Sequence, residues 1–430
     1  MSGPSKITRM AFDAGSLVTK IAVTSDPSAE PDQELPRTEQ HPGAAGPGGP
    51  RAALTAALAA VRTSHSSGPS RDTGLQVSLA VPDAWLDGSA EGAWRQEELR
   101  CLAEDQFGLT WVSWTGQLAA VAALAASRRG FAEPGRYLVC DIGGGGVRVG
   151  ACEVTGRIVR PLAVHDAPGG GWRDFDAAIR TMLQAEIDPG MATWYRSATD
   201  QAKRATLVFD QASSDPDFLE ARAYSLSGTC SRYDLTARQA AECFAPTLDR
   251  IRTGMAAVLN GAVPAVTVLT GGLAWFPQAH RVMAEAGGSP PDVLGPEAAV
   301  LGTLLLAAGQ AQFAPHGLPP VTLPSHRIRD GLLEETSLPL PWTDSFAPRD
   351  GEPLVLENPE LILDIGRRRV TLPVPGLTCG QYRVGVRPSW SGTGVVVLRA
   401  EYANRTAGPD RADPRRDVHV LPLDLQEMPR

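Results

Sequence analysis

The chain has 430 residues, enough for two or three domains, and its formal charge of −8 at neutral pH disfavours non-specific binding to nucleic acid or to anionic membrane. Its basic residues are almost all arginine, the lysines being Lys6, Lys20 and Lys203 alone. Cys101, Cys140, Cys152, Cys230, Cys243 and Cys379 show no Cys-x-x-Cys spacing, and no segment resembles a signal peptide or a membrane span, so a cytoplasmic protein with free thiols is expected.

Residues 7–23, ITRMAFDAGSLVTKIAV, predict a strand, a turn and a strand. Residues 24–50 are rich in proline, glycine and charge and predict a long loop or disordered excursion. Helical apolar spacing over 51–64 predicts a helix. A strand follows at 75–82, a helix closed by glycine at 90–108, a short strand in LTWVSWTG and an alanine-rich helix at 117–127. The pattern then begins again, with a hairpin over 137–154 and a third strand in GRIVRPLAVHDA. Helices are predicted at RDFDAAIRTMLQAEI, at WYRSATDQAKRATLVF and over 235–259. A buried strand, AVTVLTGG, precedes two helices with proline at their entries, FPQAHRVMAEAG and PEAAVLGTLLLAAGQ. The composition changes near 312. Residues 312–350 read as a linker, and 351–430 predict a β-rich domain of short alternating strands.

The informative feature is the repeat. MAFDAGSLVTKIAV and LVCDIGGGGVRVGAC share one plan: apolar strand, aspartate, small residues, departing strand. Glycines let backbone amides turn inward to form an anion-binding concavity. An aspartate at the strand end can hold Mg²⁺ through water beside phosphate, which makes Asp13 and Asp141 the candidate metal pair. Gly271 and Gly272, between a buried strand and a helix, permit close backbone approach to a base or an α-phosphate.

Over residues 7–310 the sequence resembles the actin–hexokinase–heat-shock-chaperone ATPase superfamily, most closely the ATPase domain of DnaK-type heat-shock chaperones (heat shock protein 70 family). FDAGSLVTKIAV is similar to the first phosphate motif, with Asp13, Gly15 and Ser16 in its key positions, and DIGGGG to the second, with Asp141, Gly143, Gly144 and Gly145. GGGWRDFDAAI, with Gly170 and Gly171, resembles the family's Gly-Gly–acid–Phe-Asp turn. DQAKRATL resembles the helix that packs on adenosine, which would bring Asp200, Lys203 and Arg204 near ribose and base; LTGGLAWFPQ resembles the adenosine motif. The resemblance implies an α/β fold of two ribonuclease-H-like (actin-like ATPase) lobes, 1–130 and 131–311, around a nucleotide cleft, the second with a small inserted helical subdomain, plus the C-terminal all-β domain. It also implies ATP or ADP with Mg²⁺ as cofactors, Asp13 and Asp141 as the catalytic candidates, and a protein partner or client.

The departures limit what carries over. The stretch from Val23 to Leu75 is too short for the family's outer subdomain and holds no lysine to reach the γ-phosphate. The acid before the connecting helix aligns with Thr115 or Gly116, Gly146 replaces a threonine, and Arg148 replaces an aspartate. Arg148 is expected to face solvent or to join a structural ion pair, the alternative being that it supplies positive charge to phosphate in place of the lost lysine. Since phosphoryl transfer depends on positioned groups, hydrolysis is expected to be slow or absent. The sequence therefore supports a chaperone-like ATP-binding protein. Three alternatives stand beside it: a nucleotide-independent pseudo-ATPase scaffold, a small-molecule kinase using Asp83 or Asp87, and an actin-like filament, which the missing outer subdomain disfavours.

Overall fold

A computed structural model describes residues 8–14, 18–24, 37–42, 49–65, 75–107, 112–183, 222–227, 232–313, 318–329, 332–342, 346, 354–356, 359–377, 380–389, 393–400 and 418–423. The first lobe is built from β1 (Thr8–Ala14), β2 (Val18–Thr24), β3 (Arg37–Pro42), α1 (Gly49–His65), β4 (Leu75–Val81), α2 (Ala90–Cys101), β5 (Val112–Gly116) and α3 (Gln117–Arg128). Its sheet runs β3-β2-β1-β4-β5, with β1 antiparallel to β2 and parallel to β4. The strand β3 corrects the expectation of an unbroken loop over 24–50. It pairs with β2 from Val18↔Pro42 to Val23↔Arg37, and an edge strand made of RTEQHP carries no apolar alternation by which it could be read.

The second lobe follows with β6 (Gly135–Ile142), β7 (Gly146–Thr155), β8 (Ile158–Pro168), α4 (Trp172–Leu183), β9 (Arg222–Ser227), β10 (Arg232–Thr236) and α5 (Ala237–Leu259). It ends with β11 (Val266–Thr270), α6 (Pro277–Gly287), β12 (Asp292–Val293), α7 (Ala298–Ala307) and β13 (Gln312–Phe313). The sheet order β12-β11-β6-β7-β8-β13 repeats the first, β6 standing for β1, β7 for β2, β8 for β3, β11 for β4 and β12 for β5, with β13 added at the edge. The strand directions match as well: β6 is antiparallel to β7 and parallel to β11. The β9–β10 hairpin had no sequence signal, and the helix expected over 194–209 lies outside the described residues.

Each lobe is closed by a helix that covers the other lobe's sheet. All residues from Gln117 to Ala126 of α3 are buried, and the helix packs on Tyr137, Val139, Cys152 and Val154 of the second sheet. A helix apolar all round must be buried all round, and alanine keeps it thin enough to lie between two layers. Reciprocally, Val300 and Leu304 of α7 pack on Ala11 and Ala22 of the first sheet. The two helices meet where Gly302 lies against the Ala120 carbonyl, a place where a Cβ would overlap backbone. Among the described residues no helix is long and apolar enough to cross a membrane.

The segment 312–350, read as a linker, instead contributes two long strands, β14 (Val321–Arg329) and β15 (Leu332–Leu340). With β17 (Glu360–Ile365) and β18 (Arg368–Pro373) they form a sheet of order β15-β14-β17-β18. Pro324 and Pro339 hid them, because proline in an alternating run argues against a strand. A second sheet, in the order β16 (Leu354–Leu356), β19 (Gly380–Pro388), β20 (Gly394–Ala400) and β21 (Val418–Leu423), completes a sandwich around Val321, Leu363, Val384, Val386, Val396 and Leu398.

This sandwich is seated on α2. Along β20 side chains alternate: Val396 and Leu398 enter the sandwich core, while Val395 and Val397 meet Ala93 and Trp94 of α2 beside Val418 and Phe346. Between the domains Glu97 is fully buried and clamped by the Arg387 guanidinium and, at 3.4 Å, by Arg100 Nε; Arg387 Nη1 also donates to Gln96 Oε1 at 3.1 Å. Arg387→Ala leaves Glu97 buried without its main partner. The expected cost is about 3–5 kcal/mol of stability, read by urea unfolding. The double variant Glu97→Gln/Arg387→Met should recover most of it, and an unchanged midpoint in Arg387→Ala would mean that the clamp does not hold the interface.

Candidate functional site

The candidate residues collect at the C-terminal ends of the parallel strands β1, β4, β6 and β11, where open α/β sheets bind ligands. Asp13 is the penultimate residue of β1 and Asp141 the penultimate residue of β6. Each faces a base directly across its hairpin, in the registers Asp13↔Lys20 and Asp141↔Arg148. Lys20 Nζ lies 3.0 Å from Asp13 Oδ2. Arg148 Nη1 lies 3.5 Å from Asp141 Oδ2, and its Nε 3.6 Å from Asp166 Oδ2 on β8.

Gln117, the first residue of α3, joins the two lobes. Its side-chain amide N–H donates to Asp13 Oδ1, and its carbonyl oxygen accepts from Arg148 Nη1. Burial lowers the Lys20 ammonium's proton affinity, but Asp13, Asp141 and Glu297 outweigh it and hold the group above its ordinary range. Asp141 is pushed up, chiefly by burial and also by Asp13 and Asp166, against the pull of Arg148 and Lys20.

The two glycine turns form one unit. Gly143 N–H donates to Gly146 O at 3.0 Å, and Gly169 N–H to Gly145 O at 3.1 Å. The opening amides of α4, those of Trp172 and Arg173, donate to Gly143 O and Gly144 O at 2.9 and 3.1 Å, and Gly170 N–H donates to Asp174 Oδ2 at 2.5 Å. Gly170 and Gly171 thus back the 143–146 loop, and the N–H groups that a helix start could offer an anion are turned toward it. Gly271, at φ +90°, sits where a Cβ would overlap the Asp141 carboxylate, and Leu273 N–H bonds Ile142 O at 3.2 Å. Gly271 and Gly272 therefore abut the second acid hairpin directly. Gly15, Ser16, Asp200, Lys203 and Arg204 lie outside the described residues.

Asp13 and Asp141 are present at the two hairpins, but both Asp13 oxygens and Asp141 Oδ2 are already met by an amide, an ammonium or a guanidinium. Among the described residues no group of three His, Cys, Asp or Glu side chains is placed to hold a metal ion. Mg²⁺ does not fit these residues as they stand. Arg148 adopts the ion-paired alternative rather than the solvent-facing one. Gly116, read as the place of a lost acid, is tight against Asp83, and the adjacent Gln117 reaches Asp13 instead. Lys20, Gln117 and Asp166 were missed, although Asp-x₆-Lys and Asp-x₆-Arg occur at matching places in the two hairpins.

Asp83 is buried beneath the same network. Its Oδ2 accepts from Leu118 N–H at 2.9 Å at the start of α3, and Asp87 Oδ1 accepts from Ser89 N–H at 2.7 Å. Neither stands as an idle base for a substrate hydroxyl.

No protein-family model and no curated protein matches the chain. Among solved structures it is similar to the ethanolamine utilization protein EutJ from Carboxydothermus hydrogenoformans, with 16% identity over 71% of this chain and 90% of that one and a TM-score of 0.42. It is also similar to MreB5 of Spiroplasma citri over 71% of this chain and 98% of that one, with 13% identity to the form bound to ADP and 14% to the form bound to AMPPNP, each at a TM-score of 0.48.

Burial pushes the Asp83 carboxyl up to about 6, against the opposing pull of the Leu118 hydrogen bond and Arg148. A carboxyl raised in the folded state stabilises it fully below its unfolded value near 4, and that contribution is lost as pH rises through about 6. Asp83→Asn keeps an acceptor for Leu118 but cannot ionise. The stability of wild type relative to the variant should fall by about 3 kcal/mol between pH 4 and 7. Parallel profiles in urea unfolding across that range would refute the assignment.

Proposed function

We propose that this chain is a nucleotide-binding protein of actin-like architecture, akin to the DnaK-type chaperones. It would hold an adenine nucleotide between its lobes and hydrolyse it slowly or not at all. The observation that carries the reading is the repeat of one sheet topology, each copy carrying an aspartate, Asp13 or Asp141, at the end of its first strand. The glycine loop at 143–146, backed by Gly169–Gly171 and flanked by Gly271, has no side chains of its own to keep a phosphate chain from its backbone.

The same geometry supports slow chemistry. Hydrolysis requires a group that positions or activates water, and the acids near the cleft are engaged: Asp13 by Lys20 and Gln117, Asp83 by Leu118 N–H. Asp83 and Asp87, the acids named for a small-molecule kinase, each accept a backbone N–H, which gives that reading no added support. The β-sandwich, docked on α2 next to the cleft, is the element through which a protein partner or client would read the nucleotide state. A nucleotide-independent scaffold is the second reading. It is favoured by the ion pairs Asp13–Lys20 and Asp141–Arg148, which satisfy the acids without ligand.

ATP or ADP at about a hundred times its dissociation constant should stabilise the protein by about 2.7 kcal/mol, read as a rise in Tm. Phosphate release from ATP should be equal in wild type and Asp13→Ala. No thermal shift with either nucleotide at millimolar concentration would favour the scaffold, and a release rate that drops in Asp13→Ala would show real turnover.

A further inference from the structure

We propose that the cleft takes its nucleotide without a divalent cation, Lys20 and Arg148 supplying the positive charge that the metal would bring. The inference rests on the nucleotide reading above. Its basis is the symmetry of the two hairpins. In each, the strand-end acid has a base seven residues on, directly across the ladder, so Lys20 in the first lobe and Arg148 in the second are equivalent positions. One such pair is ordinary strand chemistry. Two at matched positions, facing each other and joined by Gln117, put two resident cations where the two acids would otherwise share one metal.

Metal geometry argues the same way. Mg²⁺ held through water needs carboxylate oxygens free to accept from its bound waters, and here Asp13 Oδ2 and Asp141 Oδ2 already face an ammonium and a guanidinium. The cations are reachable from the cleft: the Lys20 side chain is 15% exposed and that of Arg148 24%. Arg148 sits 3.5 and 3.6 Å from its two carboxylates, beyond good hydrogen-bond length, and its hydrogen bond goes to the neutral Gln117 side chain. Guanidinium has five donors and suits phosphate geometry, which lets Arg148 turn toward a phosphate while staying near Asp141. Asp13, Asp141 and Asp166 outnumber Lys20 and Arg148 by one, and Asp166, 36% exposed, is the most screened of the three.

The test is calorimetric titration of the full chain with ATP, once in excess EDTA and once in excess Mg²⁺. The two dissociation constants are expected to agree within about threefold, less than 1 kcal/mol. Arg148→Gln should weaken metal-free binding by about tenfold or more, the loss of a charge-assisted contact, and Mg²⁺ should restore part of it because Asp141 is freed. A Mg²⁺ effect of tenfold or more on wild type would overturn the inference and leave nucleotide binding intact. So would Arg148→Gln binding metal-free ATP as well as wild type does. Absence of binding in both media would overturn the nucleotide reading, and this inference with it.

Discussion

The cleft depends on the register of two antiparallel hairpins. Phe12 pairs with Ile21 and Ile142 with Val147, and all four side chains are fully buried. The next rung on each ladder is the acid–base pair. Because side chains alternate faces along a strand, a slip of one residue would carry these apolar groups to the wrong face. The hydrophobic core therefore fixes the rung, and the rung fixes the charge. Directly opposed residues stand with Cβ atoms about 4.5–5.5 Å apart, so Lys20 and Arg148 reach their acids without leaving the strand.

From this point the polar contacts continue outward. Arg148 bonds Gln117 at the start of α3, and the next residue's amide bonds Asp83, which opens a short 3₁₀ turn after β4. The end of that turn meets α2, where Gln96 Nε2 donates to Trp85 O at 2.5 Å and Gln96 Oε1 accepts from Arg387 of the sandwich. On the far side of the turn, Thr393 reaches Asp87 O at 3.4 Å. Cleft and sandwich thus contact opposite ends of one segment, residues 83–97, whose ends Asp83 and Glu97 are buried.

Much of this could be read from the sequence where the cause is local. The acid hairpins, the glycine turns and the buried strand VTVLT announce themselves through apolar runs, turn residues and strand ends, and they stand where expected. The strands at 321–340 were hidden by two prolines, and the pairing of β14 with β17 involves residues far along the chain. Lys20 and Gln117 were overlooked because each is unremarkable by type; their role comes from the partner that register and helix entry give them. Arg387 and Glu97 lie 290 residues apart, beyond any local pattern. One signal was available: the unbroken apolar run Val395–Leu398 on β20, which marks a strand with two buried faces.

The crossing of α3 and α7 has a mechanical consequence. At Gly302 the two backbones meet with no side chain between them, so that contact has no rotamer with which to lengthen or shorten. The lobes cannot slide apart there, and each is held by a helix lodged on the other's sheet. The contact is thus a spacer of fixed length between the lobes, and Gln117, bonded to Asp13 on one side and Arg148 on the other, spans what distance is left at the strand ends.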